Sequence, residues 1–184
     1  NLQHIDIKKF KSLLNRRLSN EPIAKIINKK SFWKDDFYVN HFVLDPRPET
    51  EAIIEESIKL ISDKKKKLKI LDIGTGSGAL AISLAREFNN AKITAIDISK
   101  KAIDIAKKNV IDKQMEKNIN LKKGNINSIT SKFDLIVSNP PYLSNKEYQE
   151  VSEGIKKYEP KIALYGGKDG LFFYREFSKI IPKL

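Results

Sequence analysis

Several residue types that common kinds of chemistry need are scarce in this chain. Its 184 residues include no cysteine and only two histidines, His4 and His41. The absence of cysteine excludes disulfides, thiolate nucleophiles, zinc ribbons and iron–sulfur clusters, and two histidines are too few for a histidine metal cage. We therefore expect neither a metal site nor redox chemistry.

Long apolar runs are missing as well. No segment approaches the roughly 18 to 20 apolar residues of a membrane span, and the start at Asn1 has neither an initiator Met nor the layout of a signal peptide. Hydrophobic residues nevertheless make up 40% of the chain, which is enough for a packed core. We expect a globular cytoplasmic protein with no membrane partner. Because the sequence does not begin with Met, it leaves open where the native N-terminus lies.

Acidic residues are outnumbered. The chain has 35 Lys and Arg against 23 Asp and Glu, which gives a net charge of +12. A basic surplus favours a polyanionic partner such as nucleic acid. Arginine, the better bidentate phosphate ligand, is rare, and a compositional bias toward lysine explains the charge equally well. Nucleic acid therefore stays open as a partner, and the charge alone names no function.

A small β-hairpin is predicted in the first third of the chain. Apolar residues alternate with polar ones from Ser31 to Leu44, and Asp35-Asp36 has the composition of a turn. This interpretation places His41 on one face of a strand, where a packing role is favoured over catalysis.

From Leu68 onward the sequence alternates between strand and helix patterns. Strand–helix–strand units of this length need right-handed crossovers and a mainly parallel sheet. We therefore predict an α/β fold of the Rossmann-like, doubly wound type. The predicted strands are 68–73, 91–97, 119–123 and 133–138, and the predicted helices are 6–18, 54–61, 78–88 and 99–111.

A glycine-rich turn joins the first of these strands to its helix. Residues 70–81 are Ile-Leu-Asp-Ile-Gly-Thr-Gly-Ser-Gly-Ala-Leu-Ala. Such a turn brings the chain close to a ligand and directs helix N–H groups toward negative charge. A carboxylate ends the second strand about 20 residues later, where it can accept from ribose hydroxyls. The pattern predicts a nucleotide-like ligand bound by Gly74, Thr75, Gly76, Ser77, Gly78 and Asp97.

The negative charge of Asp72, two residues before the glycine turn, helps to identify the nucleotide-like ligand. The glycine pattern also satisfies the dinucleotide fingerprint, so a nicotinamide oxidoreductase is an alternative. A carboxylate at Asp72 would repel a pyrophosphate but attract the ammonium group of a methionine moiety. S-adenosylmethionine carries that ammonium group, and we expect it as the cofactor. By their order in the fold, Asn125 would face the adenine edge and Ile126 would cover the ring.

The fourth predicted strand runs into Asn139-Pro140-Pro141-Tyr142. Ligands of open α/β sheets bind at this carboxyl edge. The Asn139 side-chain oxygen and the Pro140 carbonyl can each accept one hydrogen of a planar NH2 group, and Tyr142 can stack on that group. These bonds orient the nitrogen toward an electrophilic methyl, so positioning and electrostatics suffice without a covalent intermediate. We predict Asn139, Pro140 and Tyr142 as catalytic, all four residues as substrate contacts, and Asn139 also as a cofactor contact.

The two motifs together resemble the class I S-adenosylmethionine methyltransferases that modify planar nitrogens. Three further stretches resemble the peptide chain release factor N5-glutamine methyltransferases. This resemblance implies methyl transfer to the side-chain nitrogen of the glutamine in a release factor's Gly-Gly-Gln loop, with the release factor as partner. The stretches are Arg17 to Ile26, Asp45 to Glu51, and Tyr158 to Leu171.

The resemblance also implies a domain organisation. Such methyltransferases have seven strands, whereas four are predicted before Leu184. We expect residues 1–30 to be a remnant of an N-terminal helical domain, residues 31–62 a β-hairpin with a connecting helix, and residues 63–184 a methyltransferase domain truncated after its fourth strand.

Two alternatives remain. A nucleic-acid amino-group methyltransferase of the adenine N6 type uses the same tetrapeptide. A non-catalytic cofactor-binding module is an alternative of another class.

Overall fold

A parallel four-stranded sheet is the centre of the structure, a computed structural model that describes residues 6–184. His4 and the other residues of 1–5 lie outside the described residues. The strands are β1 (Lys29–Phe32), β2 (Asp35–Tyr38), β3 (Lys69–Ile73), β4 (Lys92–Asp97), β5 (Ile119–Lys123) and β6 (Leu135–Ser138). The helices are α1 (Ile7–Leu18), α2 (Ile23–Ile27), α3 (Glu51–Leu60), α4 (Ala79–Glu87), α5 (Lys100–Asp112), α6 (Asn145–Glu150), α7 (Glu153–Tyr158) and α8 (Phe172–Ile180).

The sheet has the order β5-β4-β3-β6, and each neighbouring pair is parallel. Both faces are buried, as parallel sheets require. Within β3, Ile70 packs into the core on one face, whereas Leu71 and Ile73 pack on the other, because successive side chains of a strand point to opposite faces. Helices α3 and α4 contribute to the first core, and α8 covers the second with Phe177 and Ile180.

The predicted doubly wound α/β fold is confirmed. Each predicted strand of the parallel sheet appears within two residues of its predicted ends. Among residues 6–184, no helix combines the length and the apolar character that crossing a membrane requires.

The β-hairpin is present, but its predicted bounds are wrong. Strands β1 and β2 pair antiparallel through a two-residue turn at Trp33 and Lys34, with Trp33 at a φ of 53°. Asp35 and Asp36 therefore belong to β2 rather than to the turn. His41 is an exposed turn residue after β2, so its predicted place on a strand is also wrong.

β2 ends at Tyr38 because its partner β1 begins at Lys29, directly after the left-handed Asn28, and a buried lysine holds the chain that follows. The Lys25 ammonium donates to the carbonyls of Asn40 and Val43, at 2.8 and 2.6 Å, and forms an ion pair with Asp45 at 2.6 Å. Since an ammonium group satisfies these carbonyls, they are not available for a strand ladder. The contacts hold residues 39–45 as a loop beside the carboxyl edge of the parallel sheet.

Candidate functional site

Two cavities meet at the carboxyl edge of the sheet. The first has a volume of about 340 Å³ and the second about 450 Å³. Asn139 and Pro140, which directly follow β6, line both of them. A molecule in either cavity would therefore contact the same two residues.

The first cavity collects residues from the ends of all four parallel strands. Parallel strands of a sheet end at one edge, so the residues that follow each strand lie side by side there. Six of the predicted cofactor residues share this wall, namely Gly74, Gly76, Asp97, Asn125, Ile126 and Asn139.

The Asp97 carboxylate is held against the glycine turn. Its Oδ2 accepts from the Gly76 N–H and its Oδ1 from the Ser99 N–H, both at 2.9 Å. Burial raises the pKa of Asp97, and the backbone donors at Ser99 and Gly76 oppose that rise. Each carboxylate oxygen keeps a second lone pair, so the group can accept further hydrogen bonds from ligand hydroxyls.

Gly74 leaves space in the same wall. It has a φ of 76°, and a Cβ built on it would meet no atom of residues 6–184 within 4 Å. The backbone there thus borders open volume, which a ligand could approach closely.

Four predicted cofactor residues lie behind this wall. They are Asp72, Thr75, Ser77 and Gly78. Asp72 is only 1% exposed, and its carboxylate accepts from the Thr75 hydroxyl at 2.6 Å. Burial raises the pKa of Asp72 to about 7. These residues support the turn from beneath, and their direct contact with a cofactor stays a prediction.

Asn139 is tied to a residue far away in the sequence. Its Nδ2 donates to the Thr50 hydroxyl at 2.8 Å. Because the amide nitrogen is engaged in this bond, the Asn139 Oδ1 is the end of the group that can accept from a ligand.

The rest of the tetrapeptide divides between the two cavities. Pro141 lines the first cavity, whereas Tyr142 lines the second and is 56% exposed. The predicted substrate contacts therefore do not all lie on one side.

A later segment braces the tetrapeptide. Leu143 pairs with Tyr165 in a parallel bridge, and the Gly166 N–H donates to the Leu143 carbonyl at 2.8 Å. A Cβ on Gly166 would lie 2.6 Å from the Pro141 oxygen, which is closer than any side chain could pack. The close approach of the two segments accordingly depends on glycine at this position.

The second cavity carries an ion pair that the sequence did not reveal. The Arg47 guanidinium donates to the Glu159 carboxylate at 2.6 Å, and Glu159 is only 4% exposed. Burial raises the pKa of Glu159, and the Arg47 charge counteracts this. The pair connects the segment before α3 to the segment after α7, and Arg47 lines the cavity together with Glu49 and Thr50.

Apolar side chains from two remote segments complete the first cavity. The loop after β2 contributes three of them and α8 contributes the other three. They are Phe42, Val43, Leu44, Phe172, Phe173 and Phe177. Sequence reasoning missed these residues, and also Arg47 and Thr50. The only signal for Arg47 and Thr50 was that they lie in Asp45 to Glu51, a stretch that resembles a known family segment.

Comparison with protein families decides what kind of chain this is. The family model described as "Methyltransferase small domain" matches residues 56–159, which include the glycine turn and Asn139-Pro140-Pro141-Tyr142. The chain belongs to this family. The match ends before α8, whose aromatic residues therefore lie outside it.

Two curated relatives of this methyltransferase small domain chain carry a narrower name. "Release factor glutamine methyltransferase" of Flavobacterium psychrophilum is 42% identical over 99% of this chain and 65% of its own length. The protein of the same name from Bacillus subtilis is 37% identical over 96% of this chain and 63% of its own length. The chain thus spans somewhat less than two thirds of these relatives.

A solved structure supports the fold of this methyltransferase chain. The hMettl16 catalytic domain, crystallised with a MAT2A 3'UTR hairpin, matches with a TM-score of 0.60 at 20% identity. The match covers 80% of this chain and 56% of that one. At this identity the similarity concerns the fold alone.

Proposed function

We propose that this chain transfers a methyl group from S-adenosylmethionine to the side-chain amide nitrogen of the glutamine in the Gly-Gly-Gln loop of peptide chain release factors. The observation that carries the proposal is the position of Asn139 and Pro140 in the walls of both cavities. The names of relatives at 37 to 42% identity support the choice of substrate. Such a reaction would belong to translation termination in the cytoplasm.

The first cavity fits the cofactor. The Asp97 carboxylate is suited to ribose hydroxyls, Ile126 and Asn125 to an adenine ring and its edge, and the open volume beside Gly74 to a closely approaching ligand. When bound, S-adenosylmethionine would supply an electrophilic methyl group on a sulfonium, whose sulfur keeps the electron pair of the broken S–C bond and leaves as a neutral thioether. The amide nitrogen would release one of its two protons to solvent as its bond to the methyl carbon forms. The phenylalanines of α8 would exclude water from this side of the site.

The second cavity fits a peptide loop. It is lined by Arg47, Glu49 and Tyr142, so polar groups and an aromatic face are available to a backbone and a planar amide. The glutamine side chain would enter here and reach Asn139 and Pro140 from the side opposite the cofactor.

Asn139 and Pro140 would then orient the amide. The Asn139 Oδ1 accepts one hydrogen of the NH2 group and the Pro140 carbonyl accepts the other, while Tyr142 stacks on the amide plane. Two acceptors on one nitrogen raise its electron density and favour pyramidalisation, which directs the lone pair toward the first cavity. The protein therefore contributes positioning and electrostatics, and needs neither a metal nor a nucleophile of its own.

The domain assignment follows from this proposal. Residues 63–184 form the part that binds cofactor and amide. Residues 31–62 complete the second cavity through Arg47 and Thr50. We infer that the described residues of 1–30 belong to a separate helical part, because four of the five apolar side chains of α1 are at least 42% exposed.

A labelling experiment tests the function. The 184-residue chain is incubated with methyl-labelled S-adenosylmethionine and, separately, with a release factor, its Gln→Ala loop variant, DNA and tRNA. We expect label only in the unaltered release factor. Label in nucleic acid would favour the amino-group alternative, and label persisting in the Gln→Ala variant would contradict the proposed target. Cofactor binding without transfer to any of the four would indicate a non-catalytic module.

A further inference from the structure

We propose that Thr50 is a positioning residue whose hydroxyl anchors the Asn139 amide, so that Oδ1 stays turned toward the substrate. The inference rests on the proposed function, because it assigns the orientation of the amide that holds the glutamine. Its basis is the hydrogen bond from Asn139 Nδ2 to the Thr50 hydroxyl, at 2.8 Å, which joins residues 89 positions apart in the sequence.

The local structure at Thr50 supports this role. Thr50 occupies the N-cap position of α3, where a threonine hydroxyl usually accepts from a backbone N–H of the first turn. Here the residue has helical angles, φ −72° and ψ −19°, because a short 3₁₀ helix (Pro48–Thr50) precedes α3, and its side chain makes no capping hydrogen bond. The hydroxyl bonds to Asn139 instead.

The orientation of the amide decides what it can do. An asparagine amide has an acceptor end and a donor end of nearly the same shape, so a rotation of its plane exchanges them. With Nδ2 bonded to Thr50, Oδ1 is left to accept from the substrate NH2 group. The Thr50 hydroxyl can accept or donate, so it anchors the amide, and the substrate NH2 group itself selects Oδ1. In the reversed orientation two NH2 groups would face each other, and the substrate nitrogen would lose one of its two acceptors.

The location of Thr50 predicts which step of the reaction depends on its hydroxyl. It lines the second cavity, whereas the first cavity is lined by residues that do not include it. Loss of its hydroxyl should therefore weaken the transfer step without weakening the binding of the methyl donor.

A pair of substitutions tests the inference by kinetics. Thr50→Val removes the hydroxyl and keeps the shape, and Thr50→Ser keeps the hydroxyl. We expect Thr50→Val to lower kcat about tenfold, the scale of one hydrogen bond in a transition state, with KM and the affinity for S-adenosylmethionine unchanged. Thr50→Ser should recover most of the rate. Wild-type kcat in Thr50→Val, or an equal loss in Thr50→Ser, would overturn the inference.

A second readout does not depend on activity. In protein labelled with ¹⁵N-asparagine, the Asn139 side-chain signal is assigned by its disappearance in Asn139→Ala. We expect slow exchange for the amide proton bonded to Thr50 in the wild type and in Thr50→Ser, and fast exchange in Thr50→Val. Equal exchange in all three would overturn the inference. This readout stands even if no release factor is methylated, so it separates a failure of the orientation from a failure of the proposed function.

Discussion

The two cavities differ in how the chain builds them. The first lies where β3, β4, β5 and β6 end, and most of its polar wall follows directly after these strands. The second is assembled from the segment before α3, the tetrapeptide after β6 and the segment around α7. Sheet topology alone thus fixes the place of the first cavity, whereas the second depends on contacts between distant segments.

The cavities also differ in chemistry. The first is mainly apolar, with the partly buried Asp97 carboxylate at the end of β4 and Glu176 on α8, and suits a flat ring attached to a ribose. The second contains Arg47, Glu49 and Thr50, and suits the polar backbone of a loop. Four residues belong to both, namely Leu44, Asn139, Pro140 and Ala163, and of these Asn139 and Pro140 offer the acceptors for a planar amide. The comparison therefore predicts that substitutions in one cavity leave the other ligand unaffected, and that substitutions at the shared wall act on the transfer step.

Asn139→Ala should have the largest effect. It removes one acceptor from the substrate nitrogen, and we expect transfer to fall about a thousandfold or more, as when a preorganised hydrogen bond to a reacting group is lost. Single-turnover rates and calorimetric titration with S-adenosylmethionine measure the two steps, and donor affinity should stay largely intact. Asn120→Ala, on the exposed side of β5, is the matched control. Unchanged turnover in Asn139→Ala would remove the proposed role of this amide.

Asp72 is buried beneath the first cavity, so its ionisation acts on the stability of the fold. Its folded pKa is raised to about 7, so the folded chain binds a proton more tightly than the unfolded chain. Stability should accordingly fall as the pH rises from about 4 to about 7, by on the order of 4 kcal/mol. Asp72→Asn should remove this contribution because an amide does not titrate, while its oxygen can still accept from Thr75 and keep the turn in place. Urea unfolding at several pH values measures it, and an unaltered slope in Asp72→Asn would contradict the assignment.

Asp97→Ala tests the first cavity alone. It removes a charged acceptor worth about 1.5 to 3 kcal/mol, so the affinity for S-adenosylmethionine should fall roughly ten- to a hundredfold. Calorimetry provides the measurement. Binding of a Gly-Gly-Gln peptide should not change, and an equal loss of peptide affinity would show that the two cavities are not independent.

Gly166→Ala tests the brace behind the tetrapeptide. The added Cβ would clash with the Pro141 carbonyl, and the braced segments would move apart. We expect a loss of about 1 to 3 kcal/mol in the free energy of unfolding, as for other overpacked sites, and a raised KM for the release factor. Thermal unfolding and steady-state kinetics measure these changes. A KM that stays at the wild-type value would show that the contact between Gly166 and the tetrapeptide does not shape the substrate site.

The same contrast explains what the sequence could predict. The glycine turn, Asp97 and Asn139 were found because each belongs to a local pattern that a strand delivers to a known edge of the sheet. The hairpin turn was misplaced because a left-handed Trp33 places the turn two residues before Asp35, and the loop after β2 was missed because it depends on the tertiary contacts of the Lys25 ammonium group. The contribution of Thr50 depends on a tertiary contact, which no local pattern contains.

The phenylalanines of α8 show the same limit. Phe172, Phe173 and Phe177 give the sequence pattern of any amphipathic helix, and only the packing of α8 on the sheet brings them to the first cavity. Ser138 is a residue whose contact follows from the strand order alone. Its hydroxyl donates to the carbonyl of Ile73, which is its partner on the neighbouring strand β3.

The central claim is that methyl donor and glutamine occupy two cavities that meet at Asn139 and Pro140. A bisubstrate compound tests it most directly: a Gly-Gly-Gln peptide whose side-chain nitrogen is joined by a short alkyl linker to adenosine. We expect it to bind at least about a hundredfold more tightly than either half, because the second half binds intramolecularly, and to lose affinity in both Asp97→Ala and Gly166→Ala. Affinity no better than that of adenosine alone, or insensitivity to one of the two substitutions, would contradict the account.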